Sequence, residues 1–424
     1  MRFTLPPLVA RPSAVLFGAL FALLLVVPFG QLGSLRNVLA SAVLIATLAV
    51  VRSRWRSLPL LLPMALWIGW CALSAAWSFE PYYSLKATYL DWVLGAGVFY
   101  GAMQLTQSPG RYCQLMVAAT AALILLAGLS IALLMFAPPG AEVAHELRTG
   151  LFRYYPGVGV ASTCAAFLLP LCLVWLGRPS AIKLVWFIVF VAAAMAVGMV
   201  AKNRMFWLAM IFAYCGTFVL AWPNRSSRSR LFSALALMAM VVVAGSLLLK
   251  TVVDRSGQQV AADAVLLEKS FVDDPRLKAW GYWLAKAAES PLIGNGYDKK
   301  QLKQMHSPAA QARIVSVDQA LLTHAHNLSI DILLQTGMIG LALFLWLVGS
   351  LARGFWHSRA DPDAVIRYAA LAGLLLIMVM FAKNFTDDFF ENPMILVFWS
   401  AAGLLIGRLH APRDAVTEPP AVAA

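Results

Sequence analysis

The sequence is poor in charge. Only 12% of its 424 residues are Asp, Glu, Lys or Arg, against 61% hydrophobic ones, too little polar surface to cover a water-soluble globule of this size. Acids are the scarcer sign, with 20 Asp and Glu facing 33 Lys and Arg for a net charge of +13. The period-two alternation of barrel strands is nearly absent, which excludes a membrane β-barrel. Cysteine is sparse as well: Cys71, Cys113, Cys164, Cys172 and Cys215 all fall inside apolar runs. There they behave as small hydrophobes, and neither a disulfide framework nor a metal site is implied.

What the sequence does have is a succession of apolar runs, each of the roughly 17 to 25 residues that carry a helix across a hydrocarbon core of about 30 Å. The expected fold is an all-α polytopic membrane protein of about twelve spans. They lie at 14–31, 38–51, 58–77, 87–105, 113–136, 157–176, 184–200, 205–222, 231–249, 326–349, 365–382 and 393–407. The first run follows Arg2 and Arg11 as a signal peptide would, yet no small-residue cleavage site follows it, so it reads as a retained helix.

Alternate connections carry the cations: Arg52, Arg54 and Arg56, then Arg111, Arg178 with Lys183, Arg225 with Arg228 and Arg230, and Arg353 with Arg359 and Arg367. The positive-inside rule makes these connections cytoplasmic and puts both termini on the same side. The basic balance is a topology signal, and no nucleic-acid partner is expected. The chain divides into helices 1 to 9 over 1–250, a long extracytoplasmic and partly helical loop over 251–325, helices 10 to 12 over 326–410, and a disordered cytoplasmic tail over 411–424.

Chemistry is to be sought on the extracytoplasmic side. Lys202, Asn203 and Arg204 occupy a tight turn where cations are disfavoured. They read either as snorkelling anchors or as an anion site, Arg204 offering a rigid fork of donors to phosphate oxygens. Arg148 and Arg153 add to the same electropositive funnel or are ordinary surface. In the long loop, Asp274-Pro275 starts a helix that places Arg276, Trp280, Trp283 and Ala287 on one face. The stripe suits the membrane interface, or the tryptophans rest on lipid or sugar while Arg276 faces a phosphate. Pro291 through Gly296 supplies a tight turn. His326 stands at the mouth of span ten, on a face continuing through Ile330 and Leu333 to Gly337 and Gly340, glycines that permit a neighbouring helix to approach closely. Neutral imidazole there is the form a general base requires. Asp387, Asp388 and Glu391 read as a divalent-metal trio or, better, as partners of Lys383, of His326 or of an acceptor's amine and hydroxyl groups.

His326-Asn327, nine residues, then Gly337-x-x-Gly340 resembles the motif of the bacterial O-antigen ligase and polymerase superfamily. The likeness extends to Arg204 after the seventh span, and to Arg276-x-x-x-Trp280 followed by Pro291-x-x-Gly294-x-Gly296 in the long loop. In size and loop placement the chain is most similar to the O-antigen ligases. That resemblance implies a cofactor-free, metal-independent glycosyl transfer on the periplasmic face of the inner membrane. The polysaccharide would pass from undecaprenyl diphosphate to the lipid A-core oligosaccharide. His326 would be the catalytic base, and Arg204 and Arg276 would hold the diphosphate. Lys202, Arg148, Arg153, Trp280 and Asp388 would contribute to substrate binding. Around Arg204 the pattern departs, because Lys202-Asn203 stands where small hydroxyl residues are expected. An O-antigen polymerase, a protein O-oligosaccharyltransferase and a non-catalytic transporter of lipid-linked saccharide remain alternatives.

Overall fold

The computed structural model describes residues 7–53, 55–136, 153–177, 179–201, 203–221, 228–229, 232, 236, 275–299, 325–385 and 388–411. All regular structure among these residues is helical. In chain order the helices are α1 Pro7–Val26, α2 Gly33–Val51, α3 Leu61–Leu73, α4 Pro81–Thr88, α5 Leu94–Leu105, α6 Pro109–Phe136 and α7 Val158–Leu168. They continue with α8 Ala181–Val200, α9 Arg204–Leu220, α10 Pro275–Ala287, α11 Leu328–Ser358, α12 Ala364–Lys383 and α13 Met394–Leu409. Helix occupies each expected span except 231–249, which lies almost wholly outside the described residues. Among the described residues, six helical stretches are both long and apolar enough to cross a membrane, and four shorter apolar helices accompany them. All-helical among its described residues, the chain has the make-up of a polytopic membrane protein.

Side-chain caps set several helix starts. Asn203 accepts from Phe206 N–H at 3.2 Å to open α9, and Asp363 accepts from Val365 N–H at 2.7 Å to open α12. The core gathers around α12 and α13, whose residues are buried almost from end to end. Trp399 of α13 meets Phe99 of α5 edge-on at 5.4 Å between ring centroids, and Phe398 meets Phe167 of α7 at 5.7 Å.

The longest helix, α11, is not continuous. Gly337 sits at φ 67°, ψ −172°, so the backbone breaks about 14 Å below the helix start at 1.5 Å per residue. A break there frees carbonyls and N–H groups that lipid cannot satisfy, at a cost of several kcal/mol each. The segment Pro291–Gly296 enters the notch and pairs with them. Leu334 carbonyl accepts from both the backbone and the side-chain amide of Asn295, at 3.0 and 2.9 Å, and Gln335 carbonyl accepts from Gly296 N–H at 2.9 Å. Trp70 Nε1 donates to Thr336 carbonyl at 2.9 Å. On the far side of the break, Met338 and Ile339 N–H donate to the carbonyls of Pro291 and Leu292 at 2.8 and 3.2 Å.

The expectation that Gly337 serves a neighbouring helix is therefore corrected. Its glycine is required by its own backbone conformation and by the entering loop, since a Cβ there would lie 2.2 Å from Leu292 carbonyl oxygen. Gly337→Ala is expected to lower stability by about 2 kcal/mol or more, from the left-handed conformation and the forced withdrawal of the loop. Gly349→Ala, where a Cβ meets open space on the same helix, is expected to leave stability unchanged or raise it by about 0.5–1 kcal/mol. Unfolding midpoints of the two variants in detergent check the contrast.

Candidate functional site at the start of helix 11

The segment before α11 is held by side chains from three directions. Asn327 is the N-cap: its Oδ1 accepts from Ser329 and Ile330 N–H at 3.0 and 3.1 Å, while its Nδ2 donates to Phe385 carbonyl at 2.9 Å. Leu328 N–H donates to Asn384 carbonyl at 3.0 Å. On the other side, Ala325 N–H donates to Asp331 Oδ1 at 2.8 Å, and Ala325 carbonyl accepts from Trp280 Nε1 at 3.0 Å.

Between these two sets of bonds stands His326, 8% exposed and at φ +52°. A non-glycine residue in the left-handed region costs on the order of 1–3 kcal/mol and persists only where its surroundings enforce it. Leaving the buried Ala325 N–H unsatisfied would cost about 1–3 kcal/mol, so its bond to Asp331 is on the scale needed to hold the conformation. His326 thus precedes the helix by two residues, where the periodic reading had put it on the helical face.

Helix α10 packs against the first turns of α11. Trp283 is fully buried with Ala287, Ala325 and Leu334, and Ile330 and Leu333 complete the cluster. Both tryptophans of the stripe were open to lipid or sugar in the sequence reading; Trp283 is instead taken up by protein, because α10 lies on α11. Trp280 is partly exposed, and its ring meets Phe385 edge-on at 5.6 Å while its indole N–H serves Ala325.

Below the histidine lies a charged network. Lys299 Nζ is 2.7 Å from Asp388 Oδ2 and 3.7 Å from Glu391 Oε2, and it donates to Asp388 carbonyl at 3.0 Å. Burial pulls the Lys299 ammonium down, but the carboxylates of Asp388, Glu391 and Asp331 outweigh it and hold the group above the ordinary lysine range. Tyr297 hydroxyl donates to Asp91 Oδ2 at 2.9 Å and accepts from Trp92 Nε1 at 2.7 Å. A cavity of about 30 Å3 opens among Trp67, Asp91, Tyr297, Lys299, Asp388 and Glu391. That volume holds about two waters and no sugar ring, so the network braces the site from within.

The structure therefore brings together His326, Trp280 and the residues Asn384 and Phe385 that close α12. Asp388 itself, expected at the substrate, is 3% exposed and pairs with Lys299. Arg204 and Arg276 fall in the first turns of α9 and α10, with their side chains outside the described residues, as are Arg148, Lys202 and Asp387 altogether. Arg153 is exposed, stacks on Tyr154 at 4.8 Å and donates to its hydroxyl at 2.6 Å. Sequence reasoning missed Asp91, Lys299 and Asp331. Asp91 and Asp331 carried a usable signal, since an acid inside an apolar span is a functional candidate by cost alone.

Residues 190–345, which include Arg204, Arg276, the entering loop and His326, match the family model described as O-antigen ligase. This segment of the chain is similar to the O-antigen ligases. Over 140 residues it is 30% identical to the O-antigen ligase of Pseudomonas aeruginosa strain PAO1, a match covering 32% of this chain and 25% of that protein. The chain thus matches about a quarter of that relative's length.

The brace below His326 can be tested without substrate. Lys299→Met is expected to destabilise the protein by about 3–5 kcal/mol, the cost of stranding a buried carboxylate at Asp388. The double change Lys299→Met with Asp388→Asn should recover most of the loss, because it removes both charges. Equal unfolding midpoints for the single and double variants would show that the ion pair contributes nothing.

Proposed function

We propose that the protein transfers a polysaccharide from undecaprenyl diphosphate to a hydroxyl of the lipid A-core oligosaccharide, as an O-antigen ligase of the bacterial inner membrane. In this reading the chain crosses the membrane about twelve times, with both termini cytoplasmic and His326 facing the periplasm. The alternation of arginine-rich connections supports that orientation. The observation that carries the function is the fixing of His326 in a left-handed conformation, inside the segment that matches the ligase family. A base that must meet one hydroxyl of a large acceptor requires such a rigid frame.

The polyprenyl chain lies among the membrane lipids along the spans. Its diphosphate is gripped by Arg204 and Arg276, each in the first turn of a helix, where the helix N-terminus adds to the guanidinium's attraction for phosphate. Lys202, Arg148 and Arg153 strengthen the field, and Trp280 offers a ring face to sugar. His326 takes the proton of the acceptor hydroxyl as its oxygen attacks the anomeric carbon. The bond from that carbon to the phosphate oxygen breaks, and undecaprenyl diphosphate leaves with the electron pair, stabilised by the arginines. No nucleotide, metal or cofactor takes part.

Purified protein given the lipid-linked saccharide and separate acceptors tests the assignment: product is expected on the lipid A-core acceptor. Product on a second saccharide would indicate a polymerase, product on polypeptide a protein glycosyltransferase, and no product a transporter. His326→Ala is expected to lower transfer by about 100-fold or more while the protein still inserts and folds. Near wild-type turnover by that variant would remove the base assignment.

A further inference from the structure

We propose that Asp331 is a positioning residue of the reaction, one that touches no substrate and sets the direction of His326 through the backbone of Ala325. The inference rests on the reading of His326 as the base. Asp331 is fully buried in the first turn of α11, and its Oδ1 accepts from Ala325 N–H at 2.8 Å. Trp280 holds the carbonyl of the same residue at 3.0 Å. Two consecutive peptide planes are thereby fixed, one on either side of the Ala325 α-carbon, immediately before the strained histidine.

A carboxylate near a helix start commonly serves the free N–H groups of the first turn. Here Asn327 already caps two of those groups, the N–H of Ser329 and of Ile330, and Asp331, the acid of the first turn, bonds elsewhere. Its bond runs backwards out of the helix to Ala325. Keeping a carboxylate at full burial is costly unless a cation accompanies it. Asp388 and Lys299 are the charged partners that act on Asp331, and Lys299 interacts with both acids. The entering loop, which delivers Lys299, is in this way connected to the histidine that the reaction uses.

The test uses full-length protein in lipid nanodiscs, with the lipid-linked saccharide donor and the lipid A-core acceptor. Asp331→Leu keeps the volume and removes the acceptor; Asp331→Asn keeps an acceptor oxygen without the charge. Asp331→Leu is expected to lower kcat by about 100-fold, the scale of a misplacement near 1 Å, with KM for both substrates held within about threefold. Asp331→Asn is expected to stay within about tenfold of wild-type kcat. Hydrogen exchange gives a readout independent of turnover: the Ala325 amide should be protected in wild type and Asp331→Asn and exposed in Asp331→Leu. Wild-type kcat in Asp331→Leu, a loss confined to KM, or Asp331→Asn as slow as Asp331→Leu would each overturn the proposal. His326→Ala, assayed beside them, separates the two readings. An inactive His326→Ala with an active Asp331→Leu removes the positioning role alone, whereas an active His326→Ala removes the base and the positioning role together.

Discussion

The break in α11 at Gly337, mended by the backbone of Pro291–Gly296, is the interaction on which the rest of the site depends. A helix interrupted inside a membrane survives only where protein satisfies the freed groups, and here the carbonyls of Leu334, Gln335 and Thr336 are all paired. The repair has two consequences. It makes Leu328–Thr336 a short rigid stub with its own capped start, and it brings the residues after Gly296 to a fixed place beside that stub. Gly296 belongs to this fit, since at φ +103° a Cβ would lie 2.4 Å from Ser78 Cβ. Tyr297 and Lys299 follow within three residues and reach Asp91, Asp388 and Glu391.

Electrostatics then explains why so many ionisable side chains gather in a chain with so few. Charges buried in a low-dielectric interior are tolerated when they are paired and hydrogen-bonded. Lys299 answers Asp388 and Glu391, and Tyr297 and Asn392 N–H answer the two oxygens of Asp91. The result is a polar brace linking α11, the loop entering it, the π-helical turn Tyr89–Val93 and the residues 388–392 before α13. Movement of any one of them would strand a charge. Such a frame suits a reaction in which a single imidazole must find one hydroxyl among many.

Local signals in the sequence revealed the helices, because long apolar runs and spacing arise from neighbours along the chain. The turn at Pro291–Gly296 was legible for the same reason. Tertiary pairing was not. Gly337 carries the same symbol whether it admits a neighbouring helix or breaks its own, and only the loop 40 residues upstream decides between them. Trp283 looked like an interfacial anchor because its burial comes from α11, not from its own helix. Lys299 gave no sign at all, being one lysine in a loop with several, and it acquires meaning only beside Asp388.

On the proposed reading, one base in a rigid frame, with no carboxylate among the described residues placed as a nucleophile, requires a single displacement at the anomeric carbon. The anomeric configuration of the newly formed linkage, read by NMR one-bond carbon-proton coupling against that of the lipid-linked donor, tests this most directly. Inversion in every product molecule is the expected result. Retention of configuration would require a covalent glycosyl-enzyme intermediate and would contradict the assignment of His326 as the base in a one-step transfer.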